Sequence, residues 1–363
     1  MARSAASLIG RLKYNYLGNS GLRVSNICLG TFTFGEGNSG RPGQCGENLS
    51  HQILDRYVEC GGNFIDTADS YNDGLSEKYV GSWMAKRKNR DSMVVATKCW
   101  YNTKPGDPNG AGLGRKHILW NIEQSLQRLQ TDYIDLYQIH CWDNKTPIQE
   151  TLRTMDDLVR SGKVRYVGAS NVTGWQMLKI VYECKNMGLN PWISLQAQYS
   201  LLSRTLELEA IDVCRNEGVA LLPWGALKSG WLTGKYKQGQ APPEDTRVGF
   251  VEADRRFERE SHPSYSKFAN NPRVFTLLEG MARIGREHDK SIAEVAIRWL
   301  LQKDTIPSVL IGAKTIQQLD CNLGAANGWE LSDQQMSDLD DLSRIELPYP
   351  YNMIKALNED RNR

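Results

Sequence analysis

Short β-branched segments alternate with amphipathic helical segments along most of this chain, and this alternation limits the possible folds more than any other feature. Strands are predicted at 24–29, 63–66, 93–98, 134–140, 166–169, 192–196, 219–223 and 309–312. Helical patterns separate them at 49–60, 76–87, 115–129, 148–160, 175–186 and 205–216, and one more follows at 316–325. Strict alternation favours parallel pairing with the helices outside, and eight units close a ring, so we predict a single (β/α)8 barrel, the TIM-barrel fold of the α/β class.

The segments outside this repeat predict how the barrel is completed. Residues 14–17 and 22–24 form a hairpin pattern that we expect to close the bottom of the barrel. A polar stretch at 235–271, followed by helices at 272–288 and 292–302, predicts a long insertion after the seventh strand that covers the mouth. The alternative is a separate small domain at 235–303.

The domain boundaries follow from these assignments. We expect an N-terminal tail at 1–13, the barrel at 14–345 with a last helix at 331–342, and a polar, mobile C-terminal tail at 346–363.

Composition excludes several classes of function. Lysine and arginine (44) nearly balance aspartate and glutamate (42), which leaves a net charge of +2 and disfavours nucleic-acid binding by bulk electrostatics. No apolar run approaches the ~20 residues that span a bilayer. The eight cysteines are scattered without a C-x-x-C pair, so we expect free thiols, no metal site and a cytoplasmic location. Nothing in the sequence indicates an oligomeric state.

Reactive groups follow four of the predicted strands. The carboxyl ends of all strands in a parallel barrel meet at one mouth, so residues at these ends face a common space. Asp66 ends the second strand and Tyr71 follows it closely, Lys98 ends the third, His140 ends the fourth, and Trp224 follows the seventh. We expect the first four of these residues to carry out proton transfer.

Each of the four has a distinct chemical role in this hypothesis. A tyrosine, with an ordinary pKa near ~10, donates a proton poorly at neutral pH unless an ammonium such as Lys98 stabilises the phenolate. Asp66 would keep Lys98 charged, and a neutral His140 would hydrogen-bond a substrate carbonyl beside the Tyr71 hydroxyl. Taken singly, Asp66 also fits a helix cap, Lys98 a solvated rim and His140 an ordinary polar residue. Their convergence from three strands favours catalysis.

These segments are similar to those of a known family. Residues 63–68 (NFIDTA) with Tyr71, then 96–98 (ATK) and 136–140 (LYQIH), resemble the aldo-keto reductases, whose catalytic tetrad is Asp, Tyr, Lys and His. The resemblance extends over roughly 14–345 and includes 162–171 (GKVRYVGASN), 196–202 (QAQYSLL) and 311–314 (IGAK). It implies the barrel fold and assigns the tetrad to Asp66, Tyr71, Lys98 and His140.

The resemblance also implies a nicotinamide dinucleotide bound without a Rossmann domain, and no predicted strand leads into a G-x-G-x-x-G fingerprint. Trp224 would stack on the nicotinamide ring, while Ser170, Asn171 and Gln196 would hydrogen-bond its carboxamide. The remaining cofactor contacts that it implies at the mouth are Gly30, Thr31, Leu227, Ser229, Gly230 and Gly312.

The end of the barrel indicates which cofactor is used. The same resemblance implies that Lys314 and Gln318 match the family's contacts with the adenosine end of the cofactor, and that Asn322 would reach the adenine amino group. A lysine there offers a point charge for the 2′-phosphate that distinguishes NADP from NAD. We therefore expect NADPH as the cofactor.

Together these observations predict an NADPH-dependent reductase that converts an aldehyde or ketone to an alcohol. The alternative class is an interaction protein similar to potassium-channel β-subunits, in which turnover is incidental, and a non-catalytic barrel is a third reading. Phe32, Trp100 and Trp142 are the expected substrate contacts. Arginines at 247, 255 and 256 suit an anionic group, which suggests a sugar-derived or uronate-derived keto-aldehyde as substrate.

Overall fold

Ten strands are present in the computed structural model, which describes residues 11–36, 43–259 and 262–358. They are β1 (Tyr14–Tyr16), β2 (Arg23–Ser25), β3 (Ile27–Gly30), β4 (Phe64–Asp66), β5 (Val94–Cys99), β6 (Ile134–Ile139), β7 (Val164–Ser170), β8 (Trp192–Gln198), β9 (Ala220–Trp224) and β10 (Val309–Ile311). The last eight form one parallel sheet in the order β10-β3-β4-β5-β6-β7-β8-β9, and β9 lies next to β10. The sheet is thus a nearly closed barrel, and the predicted (β/α)8 fold is confirmed.

Helices surround this barrel. They are α1 (Glu47–Glu59), α2 (Leu75–Arg87), α3 (Arg115–Leu129), α4 (Ile148–Arg160), α5 (Gly174–Met187), α6 (Ala210–Glu217), α7 (Arg247–Ala253), α8 (Ser266–Ala269), α9 (Pro272–His288), α10 (Ile292–Leu301), α11 (Ile316–Leu323), α12 (Asp333–Leu342) and α13 (Tyr351–Leu357). Side chains fix several of their starts: Ser291 and Glu294 form a reciprocal capping pair at α10, as Ser332 and Gln335 do at α12.

The N-terminal hairpin closes one end of the barrel, as the sequence predicts. β1 pairs antiparallel with β2, and Leu17 and Val24 are buried with Cys28 inside the barrel. The turn passes so close to the barrel that a Cβ on Gly18 would lie 2.2 Å from the carbonyl oxygen of Ile193. Gly18 also has a φ of +57°, a conformation that glycine adopts without strain. The reactive mouth is therefore at the opposite end.

Two predicted elements differ from the structure. The strand predicted at 24–29 is divided at Asn26, whose amide donates to Lys13 O while its carbonyl accepts from Val309 N. The chain thus passes from the hairpin to the barrel at this residue. The helix predicted at 205–216 begins as a 3₁₀ turn, Thr205–Leu208, and α6 starts only after Glu209, whose φ of −147° is not helical.

The insertion after β9 packs directly on the barrel. Trp231 is fully buried, and its ring lies 5.6 Å from that of Tyr265 and 5.3 Å from that of Phe268, centroid to centroid. These aromatic contacts are continuous with the core between the sheet and the outer helices. They hold the insertion at the mouth of the barrel.

The C-terminal segment that the sequence predicts as a mobile tail contains the short helix α13. Its first residue, Tyr351, donates a hydrogen bond to Glu209 Oε1 at 2.7 Å, which ties the helix to the barrel. Residues 359–363 of the predicted tail and residues 1–10 of the N-terminal tail lie outside the described residues.

Two further observations concern the class of protein. All eight cysteines fall within the described segments and are free thiols. Across those same segments no helix has both the length and the apolar character needed to cross a bilayer.

Candidate active site

Adjacent strand ends bring together Asp66, Tyr71 and Lys98. Lys98 Nζ lies 2.6 Å from Asp66 Oδ1, 2.8 Å from the carbonyl oxygen of Thr67 and 3.2 Å from the hydroxyl of Tyr71. The Lys98 side chain is fully buried, so its three ammonium donors are all directed to these partners. The tyrosine hydroxyl therefore lies beside a fixed positive charge.

His140 completes the group from the end of β6. Its ring centroid lies 5.7 Å from that of Tyr71 in an edge-to-face arrangement, and it is only 7 % exposed. Burial, together with the positive charge of Lys98, lowers the pKa of His140 well below its ordinary value. The imidazole is therefore neutral at physiological pH, as the sequence hypothesis requires.

The charges of the other two groups follow from the same geometry. Burial raises the pKa of Tyr71, and the Lys98 ammonium opposes part of that rise. Burial by itself would lower the pKa of Lys98, but the Asp66 carboxylate and the Tyr71 hydroxyl outweigh it and the pKa is raised. Lys98 is consequently an ammonium and Tyr71 a neutral phenol at neutral pH, which is the pairing that a proton donor needs.

Two glutamines hold the second oxygen of Asp66. Gln196 Nε2 donates to Asp66 Oδ2 at 2.7 Å, and Gln138 Nε2 donates to the same oxygen at 3.3 Å. Gln138 was missed by the sequence interpretation, although it lies on β6 two residues before His140, and residues two apart in an extended chain share one side of the sheet. In this structure Gln196, predicted as a carboxamide contact, supports the aspartate.

A second chain of hydrogen bonds links the predicted nicotinamide contacts. Asn171 Nδ2 donates to Ser170 Oγ at 3.0 Å and to the carbonyl oxygen of His140 at 2.9 Å. Trp224 Nε1 donates to Asn171 Oδ1 at 3.1 Å. The end of β7 thereby connects the histidine with the tryptophan that is predicted to stack on the nicotinamide.

Aromatic rings surround the reactive hydroxyl. The Phe32 ring meets that of Tyr71 edge-on at 5.0 Å, and the Tyr101 ring meets that of His140 at 4.9 Å. Trp100 packs against Tyr101 at 5.2 Å. Trp142, the third predicted substrate contact, packs instead on Trp175 of α5 at 5.7 Å. Phe32 and Tyr101 are therefore the rings closest to the reacting groups.

Basic side chains from distant parts of the sequence meet on the other side of Phe32. The Arg247 guanidinium lies 5.3 Å from the Phe32 ring centroid, over a cavity of ≈ 110 Å³ lined also by Gln44, Asn72 and His262. Arg255 and Arg256, by contrast, pair with acidic residues of the same insertion.

Lys235 and Lys314 extend this basic region. Although Lys235 is exposed as a whole residue, partial burial and the nearby charges of Lys314 and Arg247 lower the pKa of its ammonium. A Cβ on Gly230 would lie 2.7 Å from Lys235 Nζ, and one on Gly43 would lie 3.0 Å from Lys314 Cδ. These cations lie beside glycine backbone, with the Asp245 carboxylate also near Lys235, and we call this group of Lys235, Arg247 and Lys314 the cationic cradle. Such an arrangement suits an anion such as a pyrophosphate or phosphate.

The remaining predicted cofactor residues lie in three places. Thr31, next to Gly30, is buried, and its hydroxyl donates to the carbonyl oxygen of Asp66, so it supports the loop after β4. The loop after β9 contains Leu227, Ser229 and Gly230, the last two with positive φ. At the start of α11, Gln318 Oε1 accepts from the Lys314 amide, and Asn322 Nδ2 donates to the Gly312 carbonyl.

In the described residues no cluster of three or more His, Cys, Asp or Glu is placed to hold a metal ion.

Comparison with known proteins identifies the family. The model of the Aldo/keto reductase family matches residues 26–344. The chain belongs to this family. The aldo/keto reductases with similar sequences include an aryl-alcohol dehydrogenase of Pestalotiopsis microspora, 32% identical over 96% of this chain and 86% of its own length. A norsolorinic acid reductase of Aspergillus flavus is 33% identical over 93% and 82%, and the protein Tas of Escherichia coli is 32% identical over 92% and 98%.

Family membership fixes the general chemistry. This aldo/keto reductase is an oxidoreductase that acts on carbonyl compounds with a nicotinamide cofactor and a small-molecule substrate.

Proposed function

We propose that this aldo/keto reductase uses NADPH to reduce an aromatic aldehyde or ketone to the corresponding alcohol. The observation that supports the reaction most directly is the contact of the Tyr71 hydroxyl with the buried Lys98 ammonium at 3.2 Å. A general acid is effective when its conjugate base is stabilised where the proton leaves, and Lys98 lies at that position.

The side chains of the site act on the substrate oxygen in this proposal. Tyr71 donates its proton to the carbonyl oxygen, and Lys98 stabilises the negative charge left on the phenol. Asp66 keeps Lys98 oriented, and the neutral His140 ring holds the carbonyl beside Tyr71. The bound nicotinamide supplies the hydride to the carbonyl carbon.

The residues present fit NADPH. Lys235, Arg247 and Lys314 form the cationic cradle described above, in which the charges of Lys314 and Arg247 act on Lys235, and an anion bound there would offset that repulsion. Trp224, tied to Asn171, presents an indole ring at the end of β9 where a nicotinamide would stack. The Lys314 ammonium would select the 2′-phosphate of NADPH over NADH.

The mouth favours an aromatic substrate. Phe32 and Tyr101 contact the two residues that would hold the carbonyl, and flat rings pack well against aromatic edges. Of the three arginines that suggested an anionic sugar derivative, Arg255 and Arg256 pair with acidic neighbours, and Arg247 lies over the Phe32 ring. The names of two relatives, an aryl-alcohol dehydrogenase and a norsolorinic acid reductase, support the same class.

A substrate panel tests this proposal. Aryl aldehydes and ketones, simple aliphatic aldehydes and a uronate-derived keto-aldehyde are each offered with NADPH, and absorbance reports turnover. We expect aryl carbonyls to give the highest kcat/KM, with kcat of about 1 to 10³ s⁻¹. Preference for the uronate derivative would overturn the substrate class. Tight NADPH binding with fewer than about one turnover per minute on every compound would favour the channel-subunit type of function instead.

A further inference from the structure

Tyr71, the proton donor of the proposed reaction, belongs to no strand. Its position therefore depends on the loop that follows Asp66. Two backbone hydrogen bonds attach this loop to β5: the Thr67 amide donates to Ala96 O at 2.9 Å and the Asp69 amide donates to Lys98 O at 3.2 Å. Beyond Asp69 the chain turns through Asn72, which has a positive φ of 49°. The placement of the tyrosine hydroxyl relative to Lys98 therefore depends on how firmly residue 69 is held.

Asp69 is a buried acid that the proposed reaction does not use. It is 2 % exposed, and its Oδ2 accepts a hydrogen bond from Asn121 Nδ2 at 2.5 Å, while Oδ1 has no partner among the described residues. Asn121 is itself fully buried on α3. Burying a carboxyl group with one unpaired oxygen is costly, which indicates a role that a smaller polar residue would not fill.

The charged groups around Asp69 are few and lie on different elements. Glu77 of α2 and Arg128 of α3 face it with opposite charges, and Cys99, Tyr101 and Tyr137 face it from β5, the loop after β5 and β6. Glu77 and Arg128 are themselves paired at 2.6 Å. Asn121 is therefore the one described side chain that hydrogen-bonds the Asp69 carboxyl.

We propose that Asp69 and Asn121 form a tether between the catalytic loop and α3 that holds Tyr71 within hydrogen-bond reach of Lys98. Asp69 is then a positioning residue: its amide is bound to the lysine's own carbonyl and its side chain to the outer helix. This inference rests on the proposed function, because the residue that the tether positions, Tyr71, is the proton donor of that reaction. A displacement of about 1 Å at a reacting group can cost roughly 100-fold in rate.

Four single variants, and the double variant that combines Asp69→Ala with Asn121→Ala, test the tether. Asp69→Ala and Asn121→Ala each remove one partner, Asp69→Asn preserves an acceptor for Asn121, and Asp135→Asn alters a largely buried aspartate at the start of β6 as a matched control. The readouts are kcat and KM for an aryl aldehyde, the Kd of NADPH by fluorescence, and amide hydrogen exchange in peptides covering 67–74.

We expect Asp69→Ala and Asn121→Ala to lower kcat by roughly 10- to 100-fold, to speed exchange at 67–74, and to leave the Kd of NADPH within about twofold. Their double variant should be no worse than Asp69→Ala, because both changes cut one tether. Asp69→Asn should keep kcat within about threefold and show native exchange, and Asp135→Asn should match the wild type.

Several results would overturn the tether. They are native kcat and exchange in Asp69→Ala, an Asp69→Asn variant as impaired as Asp69→Ala, or an equal loss in Asp135→Asn. If the wild type itself reduces no carbonyl in the panel, the proposed function fails. The exchange measurement then still decides the tether, since only disruption of the loop accelerates exchange at 67–74.

Discussion

Lys98 shows how a buried side chain in the barrel can remain positively charged. An isolated ammonium in so buried a position would lose its proton, yet the pKa of Lys98 is raised because the Asp66 carboxylate and the Tyr71 hydroxyl outweigh the cost of burial. Gln138 and Gln196 in turn donate hydrogen bonds to Asp66 Oδ2, the oxygen that Lys98 does not contact. The Lys98 ammonium and the Asp66 carboxylate are therefore held in place by the barrel before any substrate binds. Such preorganised charge is what electrostatic catalysis requires.

Tyr71→Phe isolates the contribution of the hydroxyl. The ring remains, with its edge-on contact to Phe32, so we expect a native fold and an unchanged Kd for NADPH, although one Lys98 donor loses its acceptor and stability falls slightly. Single-turnover reduction should slow by about 10² or more, because the general acid is gone. Tyr182→Phe, which changes an exposed hydroxyl on α5, serves as the control. A near-native rate in Tyr71→Phe means that another group donates the proton.

Asp69 also predicts how stability changes with pH. Burial first, and then the Glu77 carboxylate, raise the pKa of Asp69 to about 7, whereas an unfolded aspartate has a pKa near ~3.9. Between these values the native state keeps a proton that the unfolded state has released, so the free energy of unfolding falls as pH rises from about 4 to 7. The loss is on the order of 4 kcal/mol and is complete above pH 7.

The variant Asp69→Asn has no ionisable group at this position, so it does not lose the stability that the wild type loses when Asp69 ionises. We expect its free energy of unfolding, relative to the wild type, to increase steadily from pH 4 to 7 and then to level off. Urea unfolding of both proteins at unit intervals of pH measures the difference. Parallel stability curves for the two proteins would contradict the raised pKa.

At the scale of elements, the hairpin β1–β2 closes the barrel only because its turn can approach β8. A Cβ on Gly18 would lie 2.2 Å from Ile193 O, and the φ of +57° adds strain to any other residue. We expect Gly18→Ala to lower the free energy of unfolding by about 1–3 kcal/mol. Gly21 in the same hairpin has no atom within 4 Å of such a Cβ, so Gly21→Ala should be nearly neutral. Thermal unfolding compares the two, and equal effects would mean that the close approach is unimportant.

The repeat of strands and helices made the active site partly predictable. Asp66, Lys98 and His140 could be found from the sequence because parallel strands place their carboxyl ends at one mouth. The roles proposed for Lys235 and Asp69 could not, since each depends on the path of a loop and not on a periodic pattern. The orientation of Trp142 was equally beyond a periodic pattern: the residue follows β6, and its ring packs on Trp175 of α5.

For the whole molecule, a net charge of +2 says nothing about where the charged side chains lie. Exposed arginines such as Arg215, Arg283 and Arg344 pair with acids on the surface, and such pairs contribute little to stability. Lys235 and Arg247 come from the insertion after β9 and Lys314 from the segment after β10, and the fold brings these cations together at the mouth. The overall charge of the chain gives no sign of this group of cations, because it does not report where the fold places them.

Binding of the cofactor should raise the free energy of unfolding of the barrel. The contact with Lys314 should make this increase larger for NADPH than for NADH. At a concentration of 100 times Kd, a ligand adds about 2.7 kcal/mol, which for a chain of this length raises Tm by about 3 to 4 °C. A charge-assisted contact with the 2′-phosphate is worth ~1.5 to 3 kcal/mol, so NADPH should bind at least about tenfold more tightly than NADH. At equal concentrations NADPH should therefore give the larger shift in Tm.

Lys314→Ala should remove this preference. The Kd of NADPH should rise about tenfold or more, its dependence on salt should flatten because a partly exposed ion pair is screened, and the Kd of NADH should hardly change. Lys179→Ala, which removes an exposed lysine from α5, controls for the loss of one positive charge. Fluorescence titration of both cofactors at two salt concentrations, with Tm measured alongside, distinguishes the outcomes. Equal weakening of NADH and NADPH would mean that Lys314 contacts a part of the cofactor that both share, and the basis for NADPH preference would have to lie elsewhere in the cradle.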